Sequence, residues 1–283
     1  MGTTRDGCLV QDSVGKILQH KAKLQTCVVD EIIKAFNNWS FKREQPSGID
    51  MLSRVVTKAT VHNTPVDFIL YWGKGPRVQL DSPDTACLDY LSRLANRVRE
   101  VYAPGVSIRL IFTDTHAALN GHAPESTSVY FEAIDAAAQT HGFLTARLGD
   151  IVTFGREVTN LDAEEIPSGE VLAKLVACAA KWYRGEGSAD QGALDYHRMN
   201  MVEKRAIETA FPDAVFVTFN GSEFRNLFPA KMPIFYMYSL RRGVGVKPWF
   251  MSSDAGETMS APDFGTAQCP STPPFLDPGH VNQ

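Results

Sequence analysis

The chain has no long apolar run. Nothing in it approaches the about 20 consecutive apolar residues that a bilayer-crossing helix needs. The opening stretch MGTTRDGCLVQD has no apolar core, so no secretory signal is expected. Gly2 follows Met1, but Asp6 stands where a myristoylation site wants Ser or Thr. Cysteine is scarce and scattered. Cys8, Cys27, Cys87, Cys178 and Cys269 form no CxxC pair, which argues against a zinc ribbon or a disulfide framework. Reduced thiols in a cytoplasmic protein are the expectation, with Cys87 and Cys178 on apolar helix faces as core residues. The formal charge of −4 and a pI near 6.0 argue against nucleic acid as the main partner. There is no GxGxxG at a strand–helix junction, no GxxxxGK[ST] loop and no internal repeat.

What is present is ordinary globular material. The 283 residues are 44% apolar and 21% charged, enough for one large core. Apolar residues recur at three- and four-residue steps over Ser13–Trp39, Asp84–Tyr102, Ser126–Thr140, Gly169–Arg184 and Gly192–Phe211, predicting helices, and a second short element is expected over Met51–Ala59. Compact β-branched and aromatic runs at Val66–Trp72, Val106–Phe112, Ala214–Phe219 and Pro233–Leu240 predict strands. A further strand with its loop is expected within Phe143–Phe154, where Arg147 and Asp150 are the polar residues to watch. Alternation of strands and helices predicts an α/β fold, a mostly parallel sheet flanked by helices. Residues 1–60 read as a helical segment packed on the main domain, 61–250 as the α/β catalytic domain, and 251–283 as an irregular C-terminal tail or arm. That last stretch holds five of the sixteen prolines.

The stretch VSIRLIFTDTHAALNGH organises the rest. A buried strand, Val106–Phe112, changes abruptly to Thr113, Asp114, Thr115 and His116. Small polar residues at the carboxyl end of a buried strand are where open α/β sheets place ligands. The alternative is an Asp/Thr turn satisfying its own backbone. After Trp72 come Gly73, Lys74, Gly75, Pro76 and Arg77, which suit an anionic ligand, or an exposed basic hairpin turn equally well. Arg198, Lys204 and Arg205 put charge on a helix that must also pack. A solvated face explains most of it, with one arginine kept as an anion clamp. Tyr71, Trp72 and Trp249 can line an apolar pocket, though core packing accounts for them as well.

Three segments, taken in order, resemble the pyoverdine/dityrosine biosynthesis family, which includes the isocyanide (isonitrile) synthases. The first is Lys74 after a strand, followed by Pro83-Asp84 at a helix start. The second is Tyr102, Pro104, Gly105 and Ile108 running into Thr113-Asp114-Thr115. The third is Arg198 on a late helix, the strand Val215 to Phe219, and Lys247-Pro248-Trp249-Phe250. The resemblance spans roughly residues 66–250 and implies a Rossmann-like α/β enzyme. The chemistry it implies is conversion of an amino acid's amine to an isonitrile, with ribulose 5-phosphate supplying the carbon and no metal or other cofactor. By that resemblance Asp114 serves as base or as partner of the substrate ammonium. Lys74 holds phosphate or polarises a carbonyl. His116 is a candidate on its own chemistry, since an imidazole suits proton transfer near neutrality. Arg77, Thr113, Arg198, Arg205, Asn220 and Trp249 are the implied substrate-binding positions.

The chain departs from the family pattern in three places. It reads Thr113-Asp114-Thr115-His116 where the family tends to show S-D-G-R. Asn220 ends a strand that typically ends in His, and Phe250 closes the PWH-like motif. Amide and phenyl groups do not titrate near neutrality. Either His116 and His122 take over, or the same scaffold runs a different carbon–nitrogen bond chemistry or binds a ligand without turnover.

Overall fold

The computed structural model describes residue 23 and residues 25–73, 80–161 and 167–237. Its frame follows from a period of two. In the strand β1 (Val66–Trp72), Phe68, Leu70 and Trp72 face one side and Ile69 the other. In β2 (Val106–Phe112), Val106, Ile108, Leu110 and Phe112 share the first side, and Ile111 faces the second. Strands apolar on both faces need cover on both faces, which parallel sheets obtain from their crossover helices. Five strands form one all-parallel sheet in the order β3-β2-β1-β4-β5, with β3 at Leu144–Arg147, β4 at Val215–Thr218 and β5 at Ile234–Tyr236.

The first face is covered by four helices: α1 (25–36), α2 (Ile49–His62), α3 (Ser82–Arg99) and α5 (Pro124–Thr140). Phe36 of α1 sets its edge against Phe68 at 5.2 Å and Phe235 at 5.3 Å, so α1 joins the same core as the central strands. The second face is covered by α6 (Leu148–Val158) and α8 (Ala189–Ala210), and α7 (Gly169–Trp182) packs against α8. The α6–α8 crossing is close because Gly155 has no Cβ. One placed there would lie 3.0 Å from Ala206 Cβ and 3.2 Å from its Cα.

Several boundaries differ from the expectation. The segment Phe143–Phe154 is not a strand and loop but a four-residue strand followed at once by α6. The buried residues Leu148, Ile151, Val152 and Gly155 carry a helical step that the short strand's β-propensity concealed. Thr113 to His116 is not an open turn, since Asp114–Leu119 forms a short helix, α4. The last strand covers Ile234–Tyr236 among the described residues rather than starting at Pro233, with 238–240 outside them. Cys87 and Cys178 are half-buried rather than core, and Cys27 is exposed. The early part of the first predicted helix and the C-terminal stretch from 238 lie outside the described residues. Among the described residues, no helix is long and apolar enough to cross a membrane.

Candidate functional site

The order in which strands are added reverses at β1: β2 and β3 lie on one side of it, β4 and β5 on the other. Open parallel sheets bind ligands outside the carboxyl ends of their strands near such a switch. Pairing of Trp72 with Phe112 brings Gly73 beside Thr113, whose N–H donates to Trp72 O at 3.1 Å. A Cβ on Gly73 would stand 2.0 Å from Thr113 Oγ1, so this approach demands glycine.

Asp114 is the first residue of α4 and half-buried. Its Oδ1 accepts the Gly149 N–H at 3.0 Å, at the positive end of α6. One turn into α4 the surroundings become dry. Thr115 Oγ1 donates to Glu203 Oε1 at 2.6 Å, and His116 Nε2 lies 2.9 Å from Glu203 Oε2. His116 is 2% and Glu203 1% exposed. The imidazole is flanked edge-on by Tyr71 at 6.1 Å and Tyr196 at 5.6 Å. Burial, and then the charge of Glu203, push both phenols well above the usual tyrosine range, so they stay protonated. An ionised Glu203 can only accept, so in this pair Nε2 carries the hydrogen.

The other predicted positions fall as follows. Thr113 is buried, at the same strand end. Asn220 lies just past β4, its N–H on Thr218 Oγ1 at 3.1 Å. Arg198 stands on the solvent face of α8, 63% exposed and 3.4 Å from Asp195. Arg205 donates to Leu161 O at 2.8 Å, tying α8 to the segment after α6. Lys74, Arg77 and Trp249 lie outside the described residues. Trp72 is core: its Nε1–H donates to Tyr130 Oη at 3.1 Å, and Tyr130 donates to the fully buried Asp84 at 3.2 Å. Asp84 also closes a capping box with Asp81 at the start of α3.

Glu203 is the residue the sequence reading missed. Its signal was the stripe Tyr196, Asn200, Glu203 on α8, polar groups recurring at four and three residues in line with the buried Ile207. Among the described residues, no group of three or more His, Cys, Asp and Glu side chains is placed to hold a metal ion. A broad open depression of about 580 Å³ between α1 and α3, lined by Lys34, Asn38, Arg93 and Glu100 among others, shares no residue with this cluster.

The all-parallel sheet, its strand order and a polar cluster at its carboxyl mouth define an α/β protein of the Rossmann-like kind. The chain is similar in structure to the PvcA protein from Pseudomonas aeruginosa, with 16% identity and a TM-score of 0.56 over 79% of this chain and 88% of that one. At the level of fold, this agrees with the resemblance read from the sequence motifs. The tyrosyl-tRNA synthetase of Pyrococcus horikoshii, complexed with L-tyrosine, aligns over 70% of this chain and 52% of that one at 10% identity. Its TM-score of 0.38 is too low to carry an argument. No protein-family model matches the chain, and no curated protein does.

Proposed function

We propose that this chain is a small-molecule biosynthetic enzyme of the isocyanide synthase-like kind, acting in the cytoplasm on an amino acid and a phosphosugar. The observation that carries the reading is Asp114. It is a half-buried carboxylate at the mouth of the sheet, held by the Gly149 N–H and backed by the dry His116–Glu203 pair. A carboxylate there can pair with a substrate ammonium and then accept its proton as the amine attacks a ketose carbonyl. Loss of water from that adduct gives an imine, and the later eliminations again need a base and an acid. Thr113 and Asn220 follow β2 and β4, the strands on either side of β1, and are the hydrogen-bonding groups of this reading, with Lys74 and Arg77 its phosphate-binding members. Arg198 and Arg205 have no part in it, because one is spent on the surface with Asp195 and the other on a backbone carbonyl.

A second reading keeps the scaffold and changes the carbon–nitrogen chemistry. It is favoured by Asn220, whose amide cannot titrate where the family resemblance calls for an imidazole. One incubation separates the two. The protein is given pooled amino acids and ribulose 5-phosphate labelled at its second carbon. Label in an isonitrile supports the first reading, and a nitrogen-bearing product without label supports the second. No turnover across the pool overturns both in favour of a non-catalytic binding protein.

A further inference from the structure

Arg147 is the last residue of β3 and pairs in register with Phe112 of β2. It therefore stands at the same carboxyl end as Thr113 and Asp114. Its guanidinium lies over two rings, 5.0 Å from the centroid of Phe131 and 5.9 Å from that of Phe112. The residue is half-buried, and among the described residues it has no carboxylate or carbonyl partner.

A guanidinium stays charged at every accessible pH, so partial burial without an anion needs a reason. Cation–π attraction to the two rings supplies part of it. It leaves the guanidinium N–H donors unspent, and their fork geometry matches a carboxylate or phosphate. The surroundings favour negative charge too. Helix α6 begins at the next residue, and its Gly149 N–H is already turned to a carboxylate, that of Asp114, at 3.0 Å.

Arg109 is the informative contrast. It also lies over a ring, 5.3 Å from the centroid of Phe211, but it sits in the middle of β2, opposite Ile69 and Leu144, away from the mouth.

We propose that Arg147 binds an oxyanion of the substrate, either the carboxylate of an amino acid or the phosphate of a sugar. This rests on reading the sheet's mouth as a site for those two metabolites. It makes Arg147 and Asp114 the positive and negative members of one binding site.

The test uses the full chain with two probes, acetate and inorganic phosphate, titrated at constant ionic strength and followed by the rise in melting temperature. At least one probe is expected to stabilise the unaltered protein saturably; response to acetate assigns a carboxylate site, and response to phosphate a phosphate site. Arg147→Met is expected to weaken the apparent affinity about tenfold or more. Arg147→Lys, keeping charge without the fork, is expected to weaken it less, and Arg109→Met to leave it unchanged. Should Arg147→Met fail to fold, Arg147→Lys decides, since unchanged affinity there overturns the proposal. So does a protein indifferent to both probes, an Arg147→Met protein that binds as before, or an equal loss in Arg109→Met. Turnover reports separately. Arg147-dependent anion binding without labelled isonitrile removes the isonitrile reading alone. Labelled turnover with an unchanged KM in Arg147→Met removes this inference alone.

Discussion

His116 Nε2 lies 2.9 Å from Glu203 Oε2, with both side chains shut away from solvent, so two helices far apart in sequence are joined by a charge-assisted hydrogen bond in a dry interior. A buried pair of this kind contributes little over an apolar replacement of both members, but losing one member is costly. Glu203→Ala strands both His116 and the Thr115 hydroxyl. The expected loss is about 3–5 kcal/mol of unfolding free energy in a urea titration. Glu203→Gln keeps an acceptor for Thr115 and is expected to lose less. Equal stability of Glu203→Ala and the unaltered protein would contradict the pairing.

Tyr71 and Tyr196 are held protonated by burial and by Glu203. In the unfolded chain a tyrosine ionises near about 10. Because the folded pKa is raised, the stability these groups contribute is present below that pH. It is lost as the unfolded state begins to release protons the folded state keeps. Alkaline titration followed by tyrosinate absorbance should therefore show the same signal for the native protein and for Tyr71→Phe up to the pH of unfolding. A smaller native signal in Tyr71→Phe would show that Tyr71 ionises while folded.

His122 responds in the acid direction. Burial lowers its pKa below the usual 6.5, and among the described residues its Nε2 has no hydrogen-bond partner. Below about 6.5 the unfolded state binds a proton that the folded state resists, so stability falls as pH drops through this range. His122→Gln should flatten that part of the stability–pH curve, measured by denaturant midpoints. An unaltered slope would sink the assignment.

Gly155→Ala tests the α6–α8 contact. The new methyl would press on Ala206 and Leu161 at 3.0 Å, with the Ala206 backbone 3.2 Å away. A well-packed interface resists an added carbon, and the expected destabilisation is about 1–3 kcal/mol. A neutral or stabilising change, as helix propensity alone would give, would show that the helices separate freely.

Asp114→Asn keeps the shape and an acceptor for the Gly149 N–H but removes the charge. If Asp114 serves as the proton acceptor, kcat should fall by about 100-fold or more with melting temperature little changed. A change confined to KM would make Asp114 a binding group only.

Part of this site was legible before any coordinates. The abrupt change from Phe112 to Thr113-Asp114-Thr115-His116 marks a strand's carboxyl end because a buried strand cannot continue into unpaired polar groups. That break located Asp114 at the mouth. It did not reveal that Asp114 opens a helix, since a six-residue helix carries too little periodicity to register. Nor did it separate Arg198 from Arg205 and Arg147. Charge type is visible in a sequence, but whether a guanidinium meets Asp195, a carbonyl or two phenyl faces is decided by packing.

The local pattern determined that this chain is an α/β protein, because period-two strands with two apolar faces require helices on both sides. It also marked the ends of β1 and β2. Only the tertiary structure decided that Glu203, 87 residues downstream of His116, closes over it, and that Arg147 stands beside Phe112. Those contacts join segments distant along the chain. They arise from strand order and helix crossing, which no short window of residues encodes.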